Sequence, residues 1–167
     1  MVFDLQQTVI PTIERAFPMV RRELQALDLV RDFLPWPETE GYSGVWSVFG
    51  LWFDTTPYLP IDLPANQRRC PETTAMLKSL PRLAAGGFSL VGPKSAIFPH
   101  TDNYAAGLQR LHLGVQVPKG SEMVVAGQRV EWEEGRVVMF DRNQIHSVTN
   151  VSDTARVVLL CDFKLGD

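Results

Sequence analysis

The segment Phe98-Pro99-His100-Thr101-Asp102-Asn103 places a histidine and a carboxylate two positions apart. On extended backbone successive side chains alternate faces, so His100 and Asp102 point the same way. A facial iron site takes two histidines and one carboxylate on one side of the ion and leaves the opposite positions open. The third ligand must come from elsewhere, and the chain holds three histidines, His100, His112 and His146. His146 lies in Phe140-Asp141-Arg142-Asn143-Gln144-Ile145-His146-Ser147-Val148, within the strand-rich C-terminal half. The expected catalytic centre is therefore a non-haem Fe(II) site of His100, Asp102 and His146. The plain alternative for Asp102 is a turn-capping carboxylate followed by Asn103.

A second group surrounds this triad. Arg156 follows His146 after a turn signal at Ser152-Asp153, so the two segments are expected to form a hairpin that brings Arg156 to the metal-bearing strand. A guanidinium at the back of an iron pocket suits a bidentate salt bridge to a carboxylate. That is what holding 2-oxoglutarate requires: its far carboxylate is anchored while its keto-acid end chelates iron. Ser89, on the strand before the His-x-Asp segment, could donate a further hydrogen bond to the same carboxylate. Arg110 and His112 are again two apart and share a strand face. Against these roles stand ordinary ones: strand surface cations for Arg110 and Arg156, a core histidine for His112, and a strand hydroxyl for Ser89. Asp141 reads as fixing the turn before His146, and Cys161 as a core thiol. Trp46, Trp52 and Trp132 read as core before substrate platform.

The elements that must carry these residues divide the chain in two. Residues 1–69 read as helical and irregular: Ile10, Ile13, Phe17 and Val20 repeat at helical spacing, followed by Leu24 and Leu27. Val45–Phe53 is rich in strand formers, and residues 54–69, with Pro57, Pro60 and Pro64, read as an ordered excursion. Cys70–Leu80 reads as a short helix with Pro71 at its first position and Pro81 closing it. Gly86-Gly87 reads as a turn. From Phe88 onward short apolar runs alternate with turn signals, including Gly92-Pro93, Pro118-Lys119-Gly120, Ala126-Gly127, Glu134-Gly135 and Ser152-Asp153. That punctuation indicates a β-sandwich or barrel. The expected fold is mainly β, a jelly roll or double-stranded β-helix with the N-terminal helices packed outside. The 167 residues fit a single domain.

Composition removes several classes. Hydrophobic residues make up 45%, enough for a real core. A net charge of −3, without any basic run, argues against nucleic-acid binding. The longest apolar runs are too short to span a bilayer. The N-terminus lacks the pattern of a secretory signal, which makes the cytoplasm the expected compartment. Two cysteines, Cys70 and Cys161, without a CxxC motif are expected to be reduced thiols and exclude a thiolate zinc site.

In order and approximate spacing, residues 70–163 resemble the aspartyl/asparaginyl β-hydroxylase family of Fe(II)- and 2-oxoglutarate-dependent dioxygenases. The matching pieces are Cys70-Pro71-Glu72-Thr73-Thr74-Ala75-Met76-Leu77, Phe88-Ser89-Leu90, Phe98-Pro99-His100-Thr101 and Leu108-Gln109-Arg110-Leu111-His112-Leu113-Gly114-Val115. They continue through Trp132-Glu133-Glu134-Gly135-Arg136, Phe140-Asp141 and His146-Ser147-Val148 to Arg156. The resemblance implies that His100 and His146 bind iron. It implies that Ser89, Arg110, His112 and Arg156 line the 2-oxoglutarate pocket, with Arg156 on the distal carboxylate. The animal peptide-modifying branch has a glycine where this chain has Asp102, which here implies a full triad and a small-molecule substrate. The expected activity is hydroxylation, with O₂, of an unactivated C–H in a small polar substrate such as an amino acid or biosynthetic intermediate. That substrate would be held by the N-terminal third and by groups near Asn103. The alternative is a 2-oxoglutarate-independent cupin-like metal enzyme, or a non-catalytic ligand-binding β-barrel, although such proteins usually supply more histidines.

Overall fold

The computed structural model describes residues 4–102 and 107–166; Asn103 lies outside them. The N-terminal part is helical, with α1 at Leu5–Thr8, α2 at Ile10–Arg15 and α3 at Phe17–Gln25. Pro11 and Pro18 sit in first turns, where a missing N–H leaves no helical bond unmade. Of the periodic set, Ile13, Val20, Leu24 and Leu27 are buried; Ile10 and Phe17 are half-buried against the core, and Val9, outside that set, completes the stripe.

Short strands β1 (Leu34–Pro35) and β2 (Tyr42–Ser43) lead into β3 (Trp46–Phe53). The excursion that follows contains a helix, α4 (Leu63–Arg69), whose first turn is capped by the Asp62 carboxylate accepting from Ala65 N. Asn66 and Gln67 donate side-chain hydrogen bonds to the Gly50 and Leu51 carbonyls and pin α4 to β3. Helix α5 (Pro71–Ser79) begins at Pro71 as expected. Its free N-terminal amides are satisfied from α3: Glu23 Oε1 accepts from Glu72 N at 2.8 Å and Thr73 N at 3.0 Å.

The remaining strands are β4 (Leu83–Val91), β5 (Ser95–His100), β6 (Leu108–Gln116), β7 (Ser121–Val125), β8 (Gln128–Val130), β9 (Val137–Asp141), β10 (His146–Asn150) and β11 (Arg156–Lys164). They pair antiparallel into a six-stranded sheet, β1-β3-β4-β11-β6-β9, and a five-stranded sheet, β2-β5-β10-β7-β8, among the described residues. The two sheets face one another as a double-stranded β-helix. Residues of alternate parity divide the large sheet. Phe49, Phe88, Leu90, Leu111, Leu113, Leu159, Cys161 and Phe163 join the helices in the main core. Arg110, His112, Arg156 and Asp162 face the space between the sheets. A smaller core of Ile97, Met123, Val125, Phe140 and Val148 fills part of that space.

Two expectations are corrected. Gly86-Gly87 is not a turn but lies inside β4. A Cβ on Gly87 would stand 2.5 Å from the Phe49 carbonyl oxygen, and one on Gly86 3.0 Å from Leu77 Cδ2. The glycines are there for close approach of strand and helix, a meaning that glycine within a strand also carries. The Ser152-Asp153 turn does not join a hairpin either. β10 pairs with β5 and β7, whereas β11 pairs with β4 and β6, so the turn carries the chain from one sheet to the other. Asn150 Nδ2 holds this corner by donating to the Val91, Gly92 and Thr154 carbonyls. Arg156 consequently faces His146 across the gap between the sheets rather than along a ladder.

Candidate metal centre

His100 and His146 are direct partners on the antiparallel strands β5 and β10. The next pair in that ladder is Ile97 with Val148, so β5 spends three residues where β10 spends two. This bulge re-aims the strand end, and Ile97, His100, His146 and Val148 all line one cavity. Asp102 follows just beyond β5, anchored by its N–H donating to the Arg142 carbonyl at 3.1 Å.

Each histidine uses one nitrogen locally. Nδ1 of His100 lies 2.8 Å from the Phe98 carbonyl, and Nδ1 of His146 lies 2.8 Å from the Gln144 carbonyl. A neutral imidazole that donates from Nδ1 presents Nε2 as a metal ligand. Asp102 Oδ1 is 3.3 Å from His100 Nε2, and Oδ2 is 3.5 Å from His146 Nε2. The three ligand atoms lie within 4.8 Å of one another, a group that could hold a metal ion. Adjacent ligands about 2.1 Å from one ion at right angles are about 3 Å apart; the two Asp102–histidine separations are close to that value, and the group as a whole must contract to close on a cation.

The electrostatics keep the Asp102 carboxylate charged. Burial pushes the Asp102 carboxyl up, but hydrogen bonds from His100 and His146 and the Arg110 charge outweigh it and hold the carboxyl well below the ordinary range. The same hydrogen bond raises His100 above its usual value. Arg110 Nη1 stands 2.6 Å from Asp102 Oδ2, while its Nε and Nη2 each reach an Asp162 oxygen at 2.8 Å. Arg142 Nη1 adds a bond to Asp162 Oδ2 at 2.9 Å. Burial would lower the Arg110 pKa, but Asp162 and Asp102 hold it above its usual value.

Across the cavity, Arg156 is fully buried, and its Nε and Nη2 have no hydrogen-bond partner. Its guanidinium carbon lies 4.0 Å from the centroid of the Trp132 ring, which covers it with a cation–π contact. Burial without a counter-charge pulls its pKa down to about 9. A buried cation with free donors facing a cavity calls for an anionic ligand. Both His112 nitrogens are buried without partners. Burial, then the Arg156 and Arg110 charges, hold His112 neutral. Ser89 Oγ accepts from the Trp46 indole N–H at 3.3 Å.

The structure thus brings Ser89, His100, Asp102, Arg110, His112, His146 and Arg156 to one cavity of about 230 Å³. Sequence reasoning missed Arg142 and Asp162, whose signal is the cross-strand register of Asp162 with Arg110. Trp46, read as core, packs against the smaller core and also lines the cavity, stacked on Trp36 at 4.6 Å between ring centroids. Asp141 does close the turn before His146: its Oδ1 accepts from Asn143 N at 2.9 Å and its carbonyl from Gln144 N.

The family model described as Aspartyl/Asparaginyl beta-hydroxylase matches residues 14–165. The chain belongs to this family. It is 30% identical over 161 residues to an ornithine lipid ester-linked acyl 2-hydroxylase of Rhizobium tropici, covering 90% of this chain and 55% of that protein. It is 29% identical over 165 residues to the human aspartyl/asparaginyl beta-hydroxylase, covering 92% of this chain and 21% of that one. The chain therefore spans about half, or less, of the length of these relatives. Among solved structures, a predicted oxalate decarboxylase from Thermotoga maritima superposes with a TM-score of 0.50 at 16% identity, covering 80% of this chain and 92% of that one. This likeness shows the fold alone. Among the described residues, no helix is long and apolar enough to cross a membrane.

Proposed function

We propose that this protein is an Fe(II)- and 2-oxoglutarate-dependent hydroxylase acting on a small molecule. The observation that carries the reading is the pairing of two unlike demands in one cavity. His100, Asp102 and His146 offer a cation three ligand atoms, and Arg156, whose Nε and Nη2 have no hydrogen-bond partner, shares the cavity with free donors for an anion. A keto-diacid that chelates the metal at one end and carries a carboxylate at the other answers both.

When bound, ferrous iron supplies O₂ activation and C–H oxidation, coupled to decarboxylation of 2-oxoglutarate to succinate. The chain's own residues do the rest. His100, Asp102 and His146 would hold the ion. Arg156 would pair with the distal carboxylate through its free donors, assisted by the Ser89 hydroxyl. Neutral His112 lies beside Arg156 and can donate a hydrogen bond without adding charge. The sheets exclude bulk water from the buried end, which strengthens each of these contacts.

The mouth bears on the substrate. Trp36, Phe53, Tyr58 and Leu59 line the cavity's remaining wall, with Tyr58 edge-on to Trp36. That wall favours a substrate with an apolar portion beside its polar groups, rather than a wholly polar one. The Rhizobium tropici relative acts, by its name, on an ester-linked acyl group of a lipid. Anaerobic addition of Fe(II) and 2-oxoglutarate should give a weak visible charge-transfer band in wild type and none in His146→Ala. Aerobic succinate release, screened with amino acids and with acyl-bearing amphiphiles, then identifies the substrate. A wild-type protein without the band at saturating iron and keto acid refutes the assignment.

A further inference from the structure

We propose that Asp162 is a positioning residue for the metal centre: through Arg110 and Arg142 it fixes the plane in which Asp102 presents its carboxylate. The inference rests on the metal reading of His100, Asp102 and His146. Asp162 touches none of those three. It lies on β11 directly opposite Arg110 of β6, buried, with its carboxylate on the cavity side.

The geometry is that of a fork. Asp162 takes the Nε–Nη2 edge of Arg110 through two contacts of 2.8 Å. Because a guanidinium is planar and rigid, fixing one edge aims the third nitrogen. That nitrogen, Nη1, meets Asp102 Oδ2 at 2.6 Å. Arg142 is the second arm. Its Nη1 bonds Asp162 Oδ2 at 2.9 Å, its Nε stands 3.8 Å from Asp102 Oδ2, and its carbonyl accepts the Asp102 N–H. Asp102 is thus held at side chain and backbone by two residues that share Asp162 as their anchor. Oδ1 is left turned to His100 Nε2.

Charge explains why the anchor must be an anion. Asp102 and Asp162 balance Arg110 and Arg142, so this buried cluster of four is neutral before a cation arrives. Without Asp162, two buried guanidiniums would share the single carboxylate of Asp102 and compete with the metal for it. The two arginines that the family resemblance placed together differ in their partners. Arg110 bonds two carboxylates of the chain from the cavity wall, whereas Nε and Nη2 of Arg156 have no partner in the chain.

The test is Mn(II) binding to the metal-stripped full chain without keto acid, followed by the paramagnetic resonance of the free ion. Asp162→Asn should weaken binding by about 10-fold or more, the usual effect of losing a residue that orients a ligand. Arg110→Lys keeps the charge, loses the fork and should do the same; it decides the matter if Asp162→Asn does not fold. Cys161→Ala is the control, since Cys161 neighbours Asp162 on β11 but points into the opposite core. It should lower the melting temperature and leave Mn(II) affinity within about 2-fold. A smaller loss in the folded Asp162→Asn or Arg110→Lys protein overturns the proposal, as does an equal loss in Cys161→Ala. Failure of the wild-type protein to bind Mn(II) would instead remove the metal reading beneath it.

Discussion

Arg156→Met separates what this arginine costs the fold from what it gives the ligand. Burial lowers its pKa to about 9, a fall that corresponds to about 5 kcal/mol against the charged form. The Trp132 ring beneath the guanidinium offsets about 2 kcal/mol of this. The ligand-free protein therefore carries a penalty of about 3 kcal/mol at neutral pH. Its pH dependence follows from linkage. Below pH 9 the guanidinium is protonated in both folded and unfolded chains and the penalty is complete; it is relieved as pH rises above about 9 toward the ordinary arginine value. Methionine keeps the length of the stem without the charge. At pH 7 the variant should melt roughly 6–12 °C above wild type in the absence of ligand. Mn(II) with 2-oxoglutarate at about 100 times its dissociation constant should raise the wild-type stability by about 2.7 kcal/mol. The variant should lose the part of that shift that depends on the keto acid. Urea unfolding with and without 2-oxoglutarate, at constant Mn(II), measures both. A variant less stable than wild type when empty, or one stabilised equally by the keto acid, refutes the reasoning.

His112→Leu should flatten the acid side of the stability curve. Burial holds this imidazole neutral in the fold, well below its ordinary pKa of 6.5, whereas the unfolded chain takes a proton there. Its contribution is thus whole above about pH 6.5 and is lost as pH falls toward the folded pKa, by up to about 1.4 kcal/mol per unit. Equal wild-type and variant slopes between pH 6.5 and 5 in urea titrations would contradict this. Gly87→Ala should cost about 2 kcal/mol or more through its clash with the Phe49 carbonyl. Gly41→Ala, where nothing lies within 4 Å of the added methyl, should change the melting temperature little.

The His-x-Asp pair could be read from sequence because its spacing is local, although Asp102 lies just beyond β5 rather than on it; His146 could be read because the chain offers three histidines and this one lies in the strand-rich half. The strand His146–Asn150 lies between the two turns read from sequence, the one before His146 and the one at Ser152-Asp153. What escaped notice is non-local. Asp162 reads as one more polar residue in an apolar run until β11 is laid against β6 and sets it opposite Arg110. A turn signal such as Ser152-Asp153 says that the chain reverses, not whether its two arms share a sheet. Gly86-Gly87 carries the composition of a turn, but its cause is the closeness of β3 and α5. Trp46 satisfies strand propensity and apolar burial equally well on a cavity wall, so only the opposing sheet distinguishes a wall from a core.

Arg156 and Asp162 sit on β11, and β11 is hydrogen-bonded along both edges, to β4 and to β6. Its outward side chains, Val157, Leu159, Cys161 and Phe163, are locked into the main core. Sliding or tilting this strand would unzip two ladders at once. The deep end of the cavity is therefore a fixed socket. Accommodation of ligands of different shape falls to the rim carried by the excursion between β3 and α4, which belongs to neither sheet.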